Sequence, residues 1–126
     1  MKVELYALCQ GAFNNNGQLT IVNTVDNFGV PAFPARISFG LALKFYILPE
    51  EEGEKVLSIS ILDEDNKSII PPFPANMHIE RLDRASHIAI ALNLQNVLFE
   101  KSGKYDVHLE LDGERLDNYA FEIDQR

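Results

Sequence analysis

The chain has 126 residues, of which 46% are hydrophobic and 24% charged, and its formal net charge is −8 at pH 7. A single domain of this length (1–126) buries roughly two-thirds of its unfolded surface, enough for a core without staples. The acidity excludes two classes of partner, nucleic acid and anionic membrane, because both need Lys and Arg clustered on one face.

Cys9 is the only cysteine, so no intrachain disulfide forms and nothing points to an oxidising compartment. The opening MKVELYALCQGAF breaks its apolar run at Glu4 and Gln10, unlike a secretory leader. No window approaches 18 apolar residues. A cytoplasmic protein is the simplest expectation.

Val3, Leu5, Ala7 and Cys9 alternate with Lys2, Glu4, Tyr6 and Leu8, which predicts a first strand with Cys9 on its core side. Tyr6 and Leu8 are apolar too, so both faces of that strand are candidates for cover. Asn14-Asn15-Asn16-Gly17 is a turn of residues that accept left-handed backbone, and Leu19 to Val25 returns as a second strand. Pro31-Ala32-Phe33-Pro34 interrupts the ladder. Ile37, Phe39, Leu41, Leu43, Phe45 and Ile47 then give the longest period-two signal in the chain.

Pro49 to Gly53 is a solvated turn, and Leu57, Ile59 and Ile61 form the next core face. Asp63-Glu64-Asp65-Asn66 predicts a hairpin turn, with Lys67 to Ile70 as its return strand. Pro71-Pro72-Phe73-Pro74 interrupts again, and Met77 and Ile79 continue as a short edge strand. Arg81 to Ala85 is the one place for a helical turn. Ile88, Ile90, Leu92 and Leu94 make another core face. Tyr105, Val107, Leu109 and Leu111 lead through Asp112-Gly113, a two-residue hairpin turn, to Tyr119, Phe121 and Ile123.

These segments predict an all-β chain: an antiparallel two-sheet sandwich of about eight strands, immunoglobulin-like in type. The segments Pro31 to Ile37 and Pro71 to Met77 echo one another forty residues apart. Either each half crosses between sheets at a Phe-Pro corner, or both are proline-guarded edges.

Glu100-Lys101-Ser102-Gly103-Lys104-Tyr105-Asp106-Val107 resembles the corner of immunoglobulin-like domains in which a Tyr hydroxyl bonds back to the upstream chain. Val107 stands where those domains carry their second cysteine, and the chain has no tryptophan, so the resemblance implies only a general sandwich kinship. A second set of segments spans most of the chain. It comprises Gly17 to Val22, Phe33-Pro34-Ala35, Pro49 to Gly53, Ile61 to Asn66, Asn93 to Val97, and Gly103-Lys104-Tyr105 through Asp112-Gly113-Glu114. This set is similar to a family of small, stand-alone bacterial domains of unknown function. The resemblance implies a β-sandwich in a bacterial cytoplasm, with no activity and no functional residues to carry over.

Chemistry is sparsely marked. His78, His87 and His108 have no ligand spacing, and a zinc site needs its ligands within about 2 Å of the ion. Asp63 and Asp65, with Asp26 as an outlier, are weak candidates for calcium, which takes six to eight oxygens. The same residues are what a β-turn demands. No Gly-x-Ser-x-Gly elbow, phosphate loop or Cys-x-x-Cys is present, so the expectation is a non-enzyme without a cofactor.

The outward positions of two strands are more informative. Gly40 and Ala42 on one, with Ala89 and Ala91 on the other, are small and uncharged where an exposed sheet face carries Lys, Glu or Thr. They predict a surface lying under something, either the chain's own proline-rich segments or a partner or second copy, with plain exposure as the remaining alternative. A protein-binding or self-associating module is therefore the leading expectation, with this small-residue face and the edges guarded by Pro31 to Pro34 and Pro71 to Pro74 as its contact surfaces. An ion- or small-ligand-binding domain with acidic end loops is the alternative.

Overall fold

The computed structural model describes residues 1–81 and 83–126. Among them are nine strands: β1 Lys2–Asn15, β2 Gln18–Thr24, β3 Asn27–Val30, β4 Ala35–Ile47, β5 Gly53–Leu62, β6 Phe73–Ile79, β7 Ser86–Phe99, β8 Gly103–Leu111 and β9 Glu114–Gln125. A 3-10 turn covers Pro49–Glu51, and no α-helix occurs among the described residues. The strands form a four-stranded sheet, β2-β1-β4-β7, and a five-stranded sheet, β3-β9-β8-β5-β6. The five-stranded sheet curls into a half-barrel.

Local chemistry explains the two tight hairpins. Asn16 and Gly17 have φ of 54° and 85°, and Asp112 and Gly113 have 50° and 84°. Two successive positive φ values make the primed turn whose twist matches paired strands. Gly17 N–H also donates to Asn14 Oδ1 at 2.9 Å.

One apolar core draws on both sheets. Phe39, Leu41, Leu43 and Phe45 of β4 meet Leu57 and Ile59 of β5, Val107 and Leu109 of β8, and Phe121 of β9. Phe99 stands edge-on to Tyr105 with centroids 5.0 Å apart, and Tyr105 stacks on Phe121 at 5.7 Å. Each fully buried Phe contributes about 1.5–3 kcal/mol, so these rings dominate the packing of this end.

The structure corrects the strand expectations at several points. β3 pairs parallel with β9, from Asn27↔Glu122 to Val30↔Gln125, so the sheets are not wholly antiparallel. Four residues are too few to show a period, and the partner lies at the far end of the chain. Lys67 to Ile70 is no return strand: it makes one isolated bridge, Leu62↔Ser68, and the neighbour of β5 is β6. The helical turn expected at Arg81 to Ala85 is a bend at Asp83 and Arg84, with position 82 outside the described residues.

The inward face of β1 also differs. A register shift between Val3 and Leu5 changes parity, so Tyr6 and Leu8 face the main core. Ala7 and Cys9 lie on the opposite side in a second, smaller cluster. An extra residue in one strand turns every later side chain over.

The two Phe-Pro segments do different work. Pro31 to Pro34 carries the chain from β3 in the five-stranded sheet to β4 in the four-stranded one. Pro71 to Pro74 stays within the five-stranded sheet, leading from the β5 side into the start of its edge strand β6. The echo is therefore not a pair of equivalent crossings.

Candidate functional site

The small-residue face lies on the outside of the four-stranded sheet. Ala42 pairs with Ala91 and with Ala7, and Gly40 pairs with Asn93 and with Cys9. The pairing of β1 with β4 stops at Cys9↔Gly40, whereas β1 and β2 stay paired out to Asn15↔Gln18. The far part of that hairpin turns onto the outer face. Ala12 N–H donates to Asn93 Oδ1 at 3.1 Å, and Asn93 Nδ2 donates to the Ala12 carbonyl at 2.8 Å. Asn14 Nδ2 donates to the Ala89 carbonyl at 3.0 Å. Leu19 and Ile21 of β2 pack on Ala7, Cys9, Ala12 and Ala42.

This arrangement explains the small residues. A Cβ on Gly40 would stand 2.9 Å from Asn93 Oδ1, 3.0 Å from the Ala12 nitrogen and 3.1 Å from Cys9 Sγ. Ala42 is fully buried. The cover over Gly40 and Ala42 is the chain's own β1–β2 hairpin and not the proline-rich segments. An intermolecular contact at these two positions is corrected to an intramolecular one, because backbone already fills that space. Ala89 and Ala91 stay partly exposed beside it. The sequence signal for the cover was present in Asn93, a side chain with both donor and acceptor set among alanines.

Cys9 is sealed in the same cluster. Its thiol donates to the Gly11 carbonyl at 3.2 Å, and burial pushes its pKa up. A thiol held protonated this way behaves as a small apolar residue.

The rims of the two sheets contrast. In the five-stranded sheet, β3 is four residues long and runs into Pro31, while β6 contains Pro74 and follows Pro71 and Pro72. These are usual ways to blunt a sheet edge. In the four-stranded sheet, β2 and β7 contain no proline and no Lys, Arg, Asp or Glu. Phe13 is 57% exposed and Val22 39% exposed on the outward side of the hairpin. At the other end of the same face His87 Nε2 lies 2.5 Å from Glu4 Oε1, and its ring stands edge-on to Tyr46.

The acidic end loop is engaged in its own folding. Asp63 Oδ1 accepts from Asp65 N–H and Lys67 N–H, each at 2.9 Å. The Lys67 N–H is the main reason the Asp63 carboxyl sits below its ordinary pKa. Glu64 Oε1 accepts from Lys104 N–H at 2.7 Å, and Lys101 Nζ lies 3.8 Å from Asp65. Tyr105 donates its hydroxyl to the Lys101 carbonyl at 2.5 Å, and burial raises its pKa. Asp63, Lys67, Ser68 and Tyr105 line a cleft of about 430 Å³. Asp26 lines a separate shallow hollow with Asn27 and Lys104.

The histidines are not gathered. His78 Nδ1 lies 2.5 Å from Glu54 Oε1, His87 faces Glu4, and His108 is in register with Ser60 and Asn118. Among the described residues no group of three or more His, Cys, Asp or Glu side chains is placed to hold a metal ion. No helix among them is long and apolar enough to cross a membrane.

Two sheets around a shared main core, without an α-helix among the described residues, define a small all-β protein. A family of unknown function, DUF6941, matches residues 4–124, and the chain belongs to that family. No curated protein matches it. Among solved structures, the chain is similar to Pseudomonas fluorescens alkylpurine DNA glycosylase AlkC bound to DNA containing an abasic site analog. That match has 13% identity and a TM-score of 0.41, over 94% of this chain and 30% of that one. It is also similar to a glycosyl hydrolase family 2 member from Bacteroides cellulosilyticus, with 12% identity and a TM-score of 0.41, over 91% of this chain and 18% of that one. The chain thus spans less than a third of each, and neither likeness carries a function across.

Proposed function

We propose that this chain is a non-enzymatic module that binds protein or self-associates through the rim of its four-stranded sheet. One observation carries the reading. β7 is a long edge strand without charge or proline, in a chain whose other sheet has both edges shortened or proline-marked. Edge strands left this way are templates for strand pairing. An immunoglobulin-like sandwich is part of the proposal, supported by the Tyr105 hydroxyl bond to Lys101. A reducing, cytoplasmic setting of bacterial type accords with the single, buried thiol.

Ion binding at Asp63 and Asp65 is the weaker reading. Asp63 already accepts two backbone N–H groups, and Asp65 faces Lys101.

A photo-crosslinking residue at position 89, placed in the full chain inside cells, tests the proposal. Discrete adducts at position 89, missing when the same group is placed at exposed Asp124, are expected. Identical patterns from the two positions would overturn it.

A further inference from the structure

We infer that two copies of this chain join through the free edge of β7, antiparallel, so that their four-stranded sheets become one continuous sheet. The inference rests on the reading above and names its partner.

The edge has the length and the composition. β7 runs from Ser86 to Phe99 and, among the described residues, pairs on one side only, with β4. A register shift opposite Ile37/Phe39 and a left-handed Asn96 (φ 53°) form a bulge near its end. Bulges terminate pairing, so Ser86 to Leu94 is the usable stretch, about 30 Å long at 3.4 Å per residue. It contains no Lys, Arg, Asp, Glu or Pro, and its one titratable side chain, His87, already faces Glu4.

Three features select a second copy as the occupant. An antiparallel edge is its own complement, because each copy offers the donors and acceptors that the other lacks, and a two-fold axis closes the pair. Each copy carries a net charge of −8, so two copies meet with less repulsion along a strand that itself has no Asp or Glu. Ile88, Ile90, Leu92 and Leu94 pack against the main core yet stay only partly buried, because they lie at its margin. The same four side chains of the second copy would cover them.

The other edge of this sheet is a poorer template. β2 has seven residues, a left-handed Asn23 (φ 48°), and a course that follows the hairpin onto the outer face. Asn14 already takes the Ala89 carbonyl of β7, so the paired strand would have to leave that one group to the hairpin. A strip about 30 Å long and one sheet thick lies at the small end of specific interfaces, so the dimer forms reversibly and depends on concentration.

Sedimentation velocity on the full chain, from about 5 to 500 μM, gives the first readout. The mass is expected to rise from 14.2 kDa toward twice that value. Amide hydrogen exchange gives the second: β7 amides are expected to slow at least several-fold at the high concentration, with β2, β3 and β6 unchanged. Ala89→Lys gives the third, since a lysine on an edge strand is a common block to pairing. It is expected to hold the chain monomeric with its thermal midpoint within a few degrees of the parent. If that variant unfolds, exchange on the parent chain still decides. A monomer at every concentration overturns the inference, and position-89 adducts to a different protein would then leave the broader reading standing. A dimer protected at Phe13 and Val22 overturns the inference while supporting self-association. Open-ended polymers protecting both β2 and β7 overturn it too, because they report head-to-tail pairing.

Discussion

Asn93 and Ala12 are joined by two hydrogen bonds, N–H to Oδ1 at 3.1 Å and Nδ2 to carbonyl at 2.8 Å. The side-chain amide of one strand thus replaces the missing neighbour of another. It pins the β1–β2 hairpin over Gly40 and Ala42, where a second, smaller apolar cluster forms.

Asn93→Leu removes both bonds and strands the Ala12 N–H and carbonyl under the hairpin. The expected cost is about 1–3 kcal/mol, the usual penalty for orphaned buried polar groups. Chemical denaturation measures it. Amides of β2 should exchange faster than in the parent chain, because local opening of the hairpin becomes easier. Unchanged β2 exchange would show that the pair does not hold the hairpin.

Glycine replacements separate packing from backbone strain. Gly40→Ala drives a methyl against Asn93, the Ala12 nitrogen and Cys9, and is expected to cost about 1–3 kcal/mol. Gly11→Ala meets nothing closer than the Phe13 ring at 3.6 Å and is expected to stay within about 1 kcal/mol of the parent. Equal midpoints for the two variants would contradict the hairpin cover.

Acid unfolding reports the Asp63 loop. The folded state holds this carboxyl below its ordinary value, chiefly through the Lys67 N–H. Its stabilisation is therefore complete above about pH 4, near the unfolded value, and fades as pH falls through the lower folded value. Asp63→Asn keeps an acceptor oxygen but cannot titrate. Between pH 5 and pH 2 the parent should lose more stability than the variant, as read from urea midpoints. Parallel curves would rule the group out.

Alkaline unfolding reports Tyr6. Its hydroxyl donates to the Val107 carbonyl at 3.0 Å, and burial, followed by the negative charge of Asp117, raises its pKa. The folded state resists ionisation, so its stabilisation is whole below about pH 10 and lost as pH rises beyond the unfolded value. Tyr6→Phe removes that dependence and is expected to lower neutral-pH stability by about 0.5–1.5 kcal/mol. Thermal scans from pH 8 to pH 11 compare the two slopes.

Much of the architecture was legible. The alternation from Ile37 to Ile47 defines β4, and Asn16-Gly17 and Asp112-Gly113 mark their two-residue turns. The Tyr105 corner was also readable, since its hydroxyl partner lies four residues upstream. β3 was hidden because its parallel partner sits at the other end of the chain. The inward face of β1 does not follow from alternation, because one bulge reverses parity without leaving a mark in composition. The small residues at Gly40 and Ala42 announced a cover without identifying it.

By itself the sequence determined that this chain is all-β and where its tight turns fall, and it marked Gly40 and Ala42 as unusually small for an outward face. Those properties come from side-chain alternation, from φ preferences and from side-chain size, all local to a few residues. Only the tertiary structure decided that the cover is the β1–β2 hairpin and that β7 is left with an open edge. Both outcomes depend on which distant strands take each other's hydrogen bonds, and a backbone amide carries no label for its partner.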